Sequence, residues 1–427
     1  MTLSLESKSD DQPGRPQVLM LTHRVPFPPD RGDRIRSWNM LRHLAKRVDV
    51  SLACIRDEPP HPDARQALSG LCRRVAIAPV GPRMRWLRAG ASALRGNAMT
   101  EGLFWSKRLA RTLDHWADCT PFDAALVYCS SMLRYTRRAG LVGIPKVVDL
   151  VDADSQKWQD YATNAPTWKK PLYLAESRRI GRLEKQSVLT SRAVTLVSDA
   201  EVDILRAALG ISATNVHGLG NGVDTDYFAP RVSPDLARTD SICLTFVGAL
   251  DYFPNVDGLR WFSQMVWPRL RDVHPDISLQ VVGRNPNSQI RALRKIAGIR
   301  VIGPVEDVRP SIAQAHAVIA PLRIARGIQN KVLEAMAMGK PVLATPEAAE
   351  GIEAIPDKEM IVNRTVDQWL DSVTTLAKYP EIREQFGIAA RRLVTERYGW
   401  SRRLQALDQL LGIGSPEIET DRTMPSQ

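Results

Sequence analysis

Apolar residues fall along this chain in short runs rich in β-branched side chains, and amphipathic stretches of helical length separate them. QVLMLTH (17–23), DVSLACI (49–55), RVAIAPV (74–80), AALVYCS (124–130) and KVVDLVD (146–152) predict strands in the first half. CLTFVGA (243–249), SLQVVGR (278–284), IRVIGPV (299–305), HAVIAPL (316–322) and KPVLATP (340–346) predict strands in the second, and AVTLVSDAEVDILRAAL (193–209) predicts a strand and a helix. Strands that are apolar throughout and alternate with helices indicate parallel sheets covered on both faces. The pattern occurs twice, which predicts two doubly wound α/β domains. Clustered Gly, Asn, Asp and Pro in GLGNGVDTDYFAP (218–230) mark the seam. The last helical stretch runs from about Pro380 to Gly412, and a polar tail follows that is expected to be disordered.

Composition supports two domains. The chain has 427 residues, 44% of them hydrophobic, more than one ordinary core can organise. Five cysteines lie far apart, in no pattern that suits zinc, which fits a reducing cytoplasm. The N-terminal residues are polar and acidic, and no run of about 18 apolar residues occurs, so the expectation is a protein neither secreted nor membrane-spanning. Charge is uneven. Residues 1–225 hold 33 Lys and Arg against 23 Asp and Glu, a net of +10, while residues 226–427 hold 25 against 24, a net of +1. The first half should therefore attract an anionic surface. GPRMRWLRAGASALRGN (81–97) interleaves arginines with Met84, Trp86, Leu87 and Leu94. It fits either an interfacial helix on anionic lipid or a solvated basic helix that spends its apolar residues on the core.

In open parallel sheets, ligands bind beyond the carboxyl ends of the strands, so the loops there carry the candidate chemistry. After the first strand, Gly32 stands at the start of a helix with a predicted apolar stripe of Ile35, Trp38, Leu41 and Ala45; it suits either anion approach or an ordinary turn. DLVDADSQKW places Asp149, Asp152 and Asp154 at a strand end, with Asp154 or Ser155 as the expected N-cap. One acid explains a cap; spare carboxylates could orient acceptor hydroxyls or take a proton. In the second half Gly248 and the Arg284 turn end neighbouring strands, a phosphate-binding arrangement. The stretch ARGIQNKVLEAMAMGKPVLAT (325–345) reads as a loop with Gly327, then a helix capped by Asn330 that carries Lys331 and Glu334 among apolar residues. A carboxylate so placed is costly unless hydroxyls or cations meet it.

That stretch, with FVG (246–248), GPVEDV (303–308) and NGVDTDYFAP (221–230), resembles the retaining glycosyltransferase family 4 of the GT-B fold. More narrowly, VDLVDADSQKW, DYFPNVDGLRWF and RGIQNKVLEAMAMGKP look like the sugar transferases of PEP-CTERM/exosortase exopolysaccharide loci. The resemblance implies two Rossmann-like domains facing a cleft: an acceptor domain over 17–222, a nucleotide-sugar domain over 223–395, and a helix over 396–412 crossing back to the first. It implies a metal-independent glycosyltransferase without cofactor that moves a sugar from a nucleoside diphosphate sugar to a glycan or lipid-linked glycan with retention, in exopolysaccharide or related surface-glycan synthesis. Glu334 matches the glutamate that binds the donor ribose, and the RGIQN loop, residues Arg326, Gly327, Ile328, Gln329 and Asn330, lies against the donor with Gly32, Gly248 and Arg284 as further binding positions. The chain departs from the family in two places. Arg326 stands where the family carries its first glutamate, and Ala249, Leu250 and Asp251 replace the usual basic pair after the FVG strand. Arg326 and Lys331 are then the expected diphosphate clamp and Asp152 the residue acting on the acceptor. The expected location is the cytoplasm, on the inner face of the membrane. The rivals are a nucleotide-sugar 2-epimerase of the same fold and a basic nucleic-acid-binding protein.

Overall fold

A computed structural model of the chain describes residues 3–6, 14–231, 241–325 and 327–413. The chain forms two compact units, residues 1–220 with 404–427, and residues 221–403.

Among the described residues the first unit holds eight strands: β1 (Leu3–Glu6), β2 (Gln17–Thr22), β3 (Asp49–Arg56), β4 (Arg74–Pro79), β5 (Ala124–Tyr128), β6 (Lys146–Val151), β7 (Ala193–Leu196) and β8 (Val216–Gly218). Their order is β1-β4-β3-β2-β5-β6-β7-β8, parallel except for β1, which pairs antiparallel with β4. Strands β2 to β7 are buried on both faces because helices cover each side, and this explains their uninterrupted apolar runs. Leu19, Leu21, Ile55, Val127 and Val148 lie in one core. The Gln405–Leu411 helix packs against β5 and β6 of this unit, where Asp408 meets His43 at 2.9 Å and Arg47 at 3.2 Å. Tyr398, by contrast, lies in the core of the second unit.

The helix Gly32–Ala45 departs from its predicted apolar stripe. Its buried residues are Arg34, Arg36, Ser37, Asn39, Met40, Leu41, His43 and Leu44, while Ile35 and Trp38 are only half-buried. The cause is a set of buried partners. Arg36 grips Asp149 through Nε at 2.7 Å and Nη2 at 3.1 Å, Thr195 Oγ1 donates to Asp149 at 3.0 Å, and His43 meets Asp408. A buried charge is tolerated when it is paired and hydrogen-bonded.

The second unit holds β9 (Cys243–Val247), β10 (Ser278–Val282), β11 (Ile299–Gly303), β12 (Ala317–Ala320), β13 (Val342–Ala344) and β14 (Ile361–Val362), all parallel, in the order β11-β10-β9-β12-β13-β14. Leu244, Phe246, Leu279, Val281, Ile319 and Leu343 are buried in its core. The edge strand β11 alternates instead, with Arg300 and Ile302 exposed.

Each unit also buries a neutral histidine. His23 in the first and His316 in the second are pushed down to about 4, chiefly by loss of solvation and further by neighbouring cations. His316 Nδ1 accepts the Cys243 N–H at 2.9 Å, which holds the uncharged ring. Between pH 6.5 and pH 4 the unfolded histidine binds a proton that the folded one refuses, so stability rises with pH across this window. Each ring should remove on the order of 3 kcal/mol on acidification. His316→Asn keeps an acceptor without titrating, and urea unfolding on either side of the window should show a shallower pH dependence for the second unit of that variant.

Candidate functional site

In the second sheet the chain reverses direction of winding between β9 and β12, the point where doubly wound sheets hold their ligands. Chemistry gathers at the carboxyl end of this pair. The hydrogen-bond ladder continues past the strands: Gly248 N–H donates to Val282 O at 3.0 Å, Leu250 N–H to Arg284 O at 2.9 Å and Gly283 N–H to Gly303 O at 2.9 Å. Gly283 has φ +156°, and a Cβ there would stand 1.7 Å from the Gly248 carbonyl oxygen, so the two strand ends approach as closely as only glycine permits.

Above Gly248 sit Asn255 and Lys331. A Cβ on Gly248 would lie 2.9 Å from Asn255 Nδ2 and 3.3 Å from Lys331 Nζ. Asn255 is buried; its Nδ2 donates to Ala249 O at 2.8 Å and its Oδ1 accepts from Lys331 Nζ. The ammonium also lies 4.9 Å from the centre of the Phe246 ring. Lys331 and Glu334 share one face of the Asn330–Ala337 helix, three positions apart. Both are half-buried. Desolvation pushes the Lys331 ammonium down to about 7 against the opposing pull of Glu334, and pushes the Glu334 carboxyl up to about 7 against the pull of Lys331. A charge so poorly solvated gains most from an added counter-charge. The arrangement can take an anion on Lys331 and the strand-end backbone, and hydroxyls on Glu334.

The loop before this helix follows the expected order with one correction. Gln329, not Asn330, occupies the N-cap position, without a side-chain cap; Asn330 is the first helical residue, and its Oδ1 is buried with no hydrogen-bond partner among the described residues. The helix starts one residue early because Gln329 is extended, at φ −87° and ψ 105°. Gly327 takes a left-handed φ of +62° and its carbonyl accepts from Gln329 Nε2 at 3.2 Å, while Ile328 packs on the core. Arg326 lies outside the described residues. Arg284 is half-buried at the end of β10, beside Asn285, whose Nδ2 donates to Asp251 at 3.0 Å. The structure thus brings Gly248, Lys331 and Glu334 to one edge with Arg284 and Gly327 to Asn330 around it. Gly283, the glycine of the Arg284 turn, belongs to the same group, as does Asn255 on the Phe253–Trp261 helix, which escaped the sequence reading.

In the first unit the corresponding reversal falls between β2 and β5. His23, just after β2, stacks on Tyr128 with ring centres 5.8 Å apart and meets Phe104 edge-on at 5.1 Å. Cys129 and Val151, after β5 and at the end of β6, take positive φ of 72° and 71°, a strained conformation for such side chains. Gly32 is the first residue of its helix and is exposed; a Cβ there would meet nothing within 4 Å, so no close approach demands the glycine. The acidic trio divides. Asp149 belongs to the buried Arg36 pair, while Asp152 and Asp154 remain partly exposed, each within 4 Å of Lys157 Nζ. Neither Asp154 nor Ser155 caps the Asp154–Asn164 helix: Ala153 is at the N-cap, and Glu201 and Glu184 accept the N–H groups of Ala153 and Ser155, both at 2.9 Å. The helix start is thus met by carboxylates from other elements, which complement its dipole.

With this geometry in view, comparison with known proteins gives a consistent picture. Residues 241–378 match the family model described as glycosyl transferases group 1. No curated protein sequence matches the chain. Among solved structures, sucrose-phosphate synthase from Thermosynechococcus elongatus superposes with a TM-score of 0.65 at 14% identity, over 92% of this chain and 98% of that one. HepE of Anabaena, solved in complex with UDP-glucose, gives 0.63 at 14% identity, over 93% and 99%. A glycosyltransferase from Rickettsia africae gives 0.59 at 13% identity, over 94% and 99%. At such identities the likeness is one of fold. The chain therefore has the GT-B fold, two parallel-sheet α/β units of the kind seen in these solved structures, and its residues 241–378 are similar to the glycosyl transferases group 1 model.

Proposed function

We propose that this protein transfers a sugar from a nucleoside diphosphate sugar to a glycan or lipid-linked glycan, with retention at the anomeric carbon. The observation that carries the reading is the convergence of Lys331, Asn255 and the Gly248–Gly283 strand ends at the winding reversal of the second sheet. Sugar transfer breaks the bond from the anomeric carbon to the diphosphate oxygen, and negative charge develops on the departing diphosphate. Lys331, held down by Asn255, meets that charge, and Arg326 is assigned as its second cation; stabilising a developing charge in a water-poor site is a large source of rate. Side chains supply the neutralisation, in keeping with a reaction that needs no metal or cofactor.

Glu334 accepts hydrogen bonds from the ribose hydroxyls, with the RGIQN loop and Arg284 alongside. Asp152, open to solvent after β6, is assigned to orient or deprotonate the acceptor hydroxyl that forms the new glycosidic bond. The match of family and fold, together with HepE being solved with UDP-glucose, supports a nucleotide-sugar donor. The narrower likeness of VDLVDADSQKW, DYFPNVDGLRWF and RGIQNKVLEAMAMGKP supports a place in exopolysaccharide or related surface-glycan synthesis, at the inner face of the membrane.

The test is titration calorimetry with UDP and uridine, extended to other nucleotide pairs. Lys331→Ala should weaken the diphosphate far more than the nucleoside. Glu334→Gln should weaken both, by roughly 1.5–3 kcal/mol for the loss of charged hydrogen bonds. Equal losses for nucleoside and diphosphate in Lys331→Ala would remove this lysine from the phosphate site.

A further inference from the structure

The helix Pro82–Leu94 packs inside out. Its buried residues are the small ones, Ala89 and Ser92, while Trp86 is 56%, Leu87 67% and Leu94 91% exposed, with Met84 exposed beside them. The core-packing reading of these apolar side chains is thereby overturned. At 100° per residue Leu87, Leu94 and Arg83 fall within about 40° of one another on the outermost line of the helix, and Met84 and Trp86 flank it. The small inner face has a physical cause. Gly102 on the next helix, Met99–Leu103, would place a Cβ 2.3 Å from Arg88 O, so the two helices press backbone to backbone.

The helix is held rather than loosely attached. Arg88 donates to Trp105 O, Arg85 meets Asp57 at 3.4 Å, and Met99 N–H donates to Glu176 Oε1 at 2.6 Å on the Lys170–Thr190 helix. The start of that last helix repeats the chemistry: Trp168 is 77% exposed with Lys169 Nζ 4.8 Å from its ring centre, followed by exposed Lys170 and Leu172.

We propose that the first unit docks on an anionic lipid surface through the outward face of the Pro82–Leu94 helix, with Leu87 and Leu94 entering the interface and Arg83 and Arg95 meeting lipid phosphates. Charge selects this occupant. The helix carries three arginines and no acid within a half of net charge +10, so a second copy on the same face would set arginines against arginines. A nucleic acid would meet leucines where its phosphates need cations. A layer with anionic heads above an apolar interior matches both halves of the pattern. Among the described residues no helix is long and apolar enough to cross a membrane, so the contact is peripheral. This inference stands independently of the donor site.

Flotation of the full chain with phosphatidylcholine vesicles, with and without phosphatidylglycerol, tests it. The protein should float with the anionic vesicles only. Leu87→Ser with Leu94→Ser should lower partitioning tenfold or more, and Arg83→Glu alone by about fivefold or more. All three positions are exposed, so melting curves should match the parent. Undiminished flotation of both variants, absence of flotation with anionic vesicles, or a monomer–dimer equilibrium abolished by the leucine substitutions would each overturn the proposal.

Discussion

Arg36→Met should cost the first unit about 3–5 kcal/mol, the usual consequence of stripping one partner from a buried ion pair. Asp149 has no exposed surface, and its two oxygens are engaged by Arg36 Nε and Nη2, with Thr195 Oγ1 adding a third bond. Removal of the guanidinium leaves a carboxylate with a single hydroxyl partner. Folding then forces either an uncompensated charge or protonation of Asp149, and both are expensive. The double substitution Arg36→Met with Asp149→Leu should recover most of the loss, since an apolar pair of similar volume can replace a buried ion pair at little cost. Chemical unfolding of the four members of this cycle gives the coupling directly. A single variant that loses less than about 1 kcal/mol would mean that water reaches Asp149 in solution.

Gly283→Ala should be still more disruptive within the second unit. The added Cβ meets a backbone carbonyl at 1.7 Å, not a movable side chain, and φ +156° is a conformation that L-residues rarely adopt. A loss above about 4 kcal/mol is expected, in the range reserved for named steric faults. Gly303→Ala supplies the control, because Gly303 also has a positive φ, +88°, but nothing lies within 4 Å of its Cβ position. Only conformational strain of about 1–2 kcal/mol applies there. If the two variants unfold at the same urea concentration, the close approach of the β9 and β10 ends is not a requirement of the fold.

Doubly wound sheets were legible in the sequence because strands such as Cys243–Val247 and Lys146–Val151 are covered on both faces, which leaves an unbroken apolar run. β1, β8 and β14 were not, being short edge strands in which no apolar run marks a strand covered on both faces. The polar face of Gly32–Ala45 was hidden for another reason: the partners of Arg36 and His43 lie 113 and 365 residues along the chain, and no local window contains both members of either pair. Distance in sequence also concealed Asn255, whose lysine partner is 76 residues away. Gly248, Lys331 and Glu334 stood out because a glycine at a strand end and charges in an apolar helix break the local pattern. The composition of Pro82–Leu94 showed that the helix is two-faced, but which face points inward depends on the bare backbone of Gly102.

The first unit closes with residues 404–413, which follow the whole of the second unit in the chain. During synthesis, every strand of the first sheet leaves the ribosome early, yet His43 and Arg47 wait for Asp408 until the segment beyond Arg403 emerges. The second unit, continuous from 221 to 403, has its full set of residues before that moment. The unit translated first is therefore the one completed last, and its exposed β5–β6 flank is the surface that a chaperone would meet on the nascent chain.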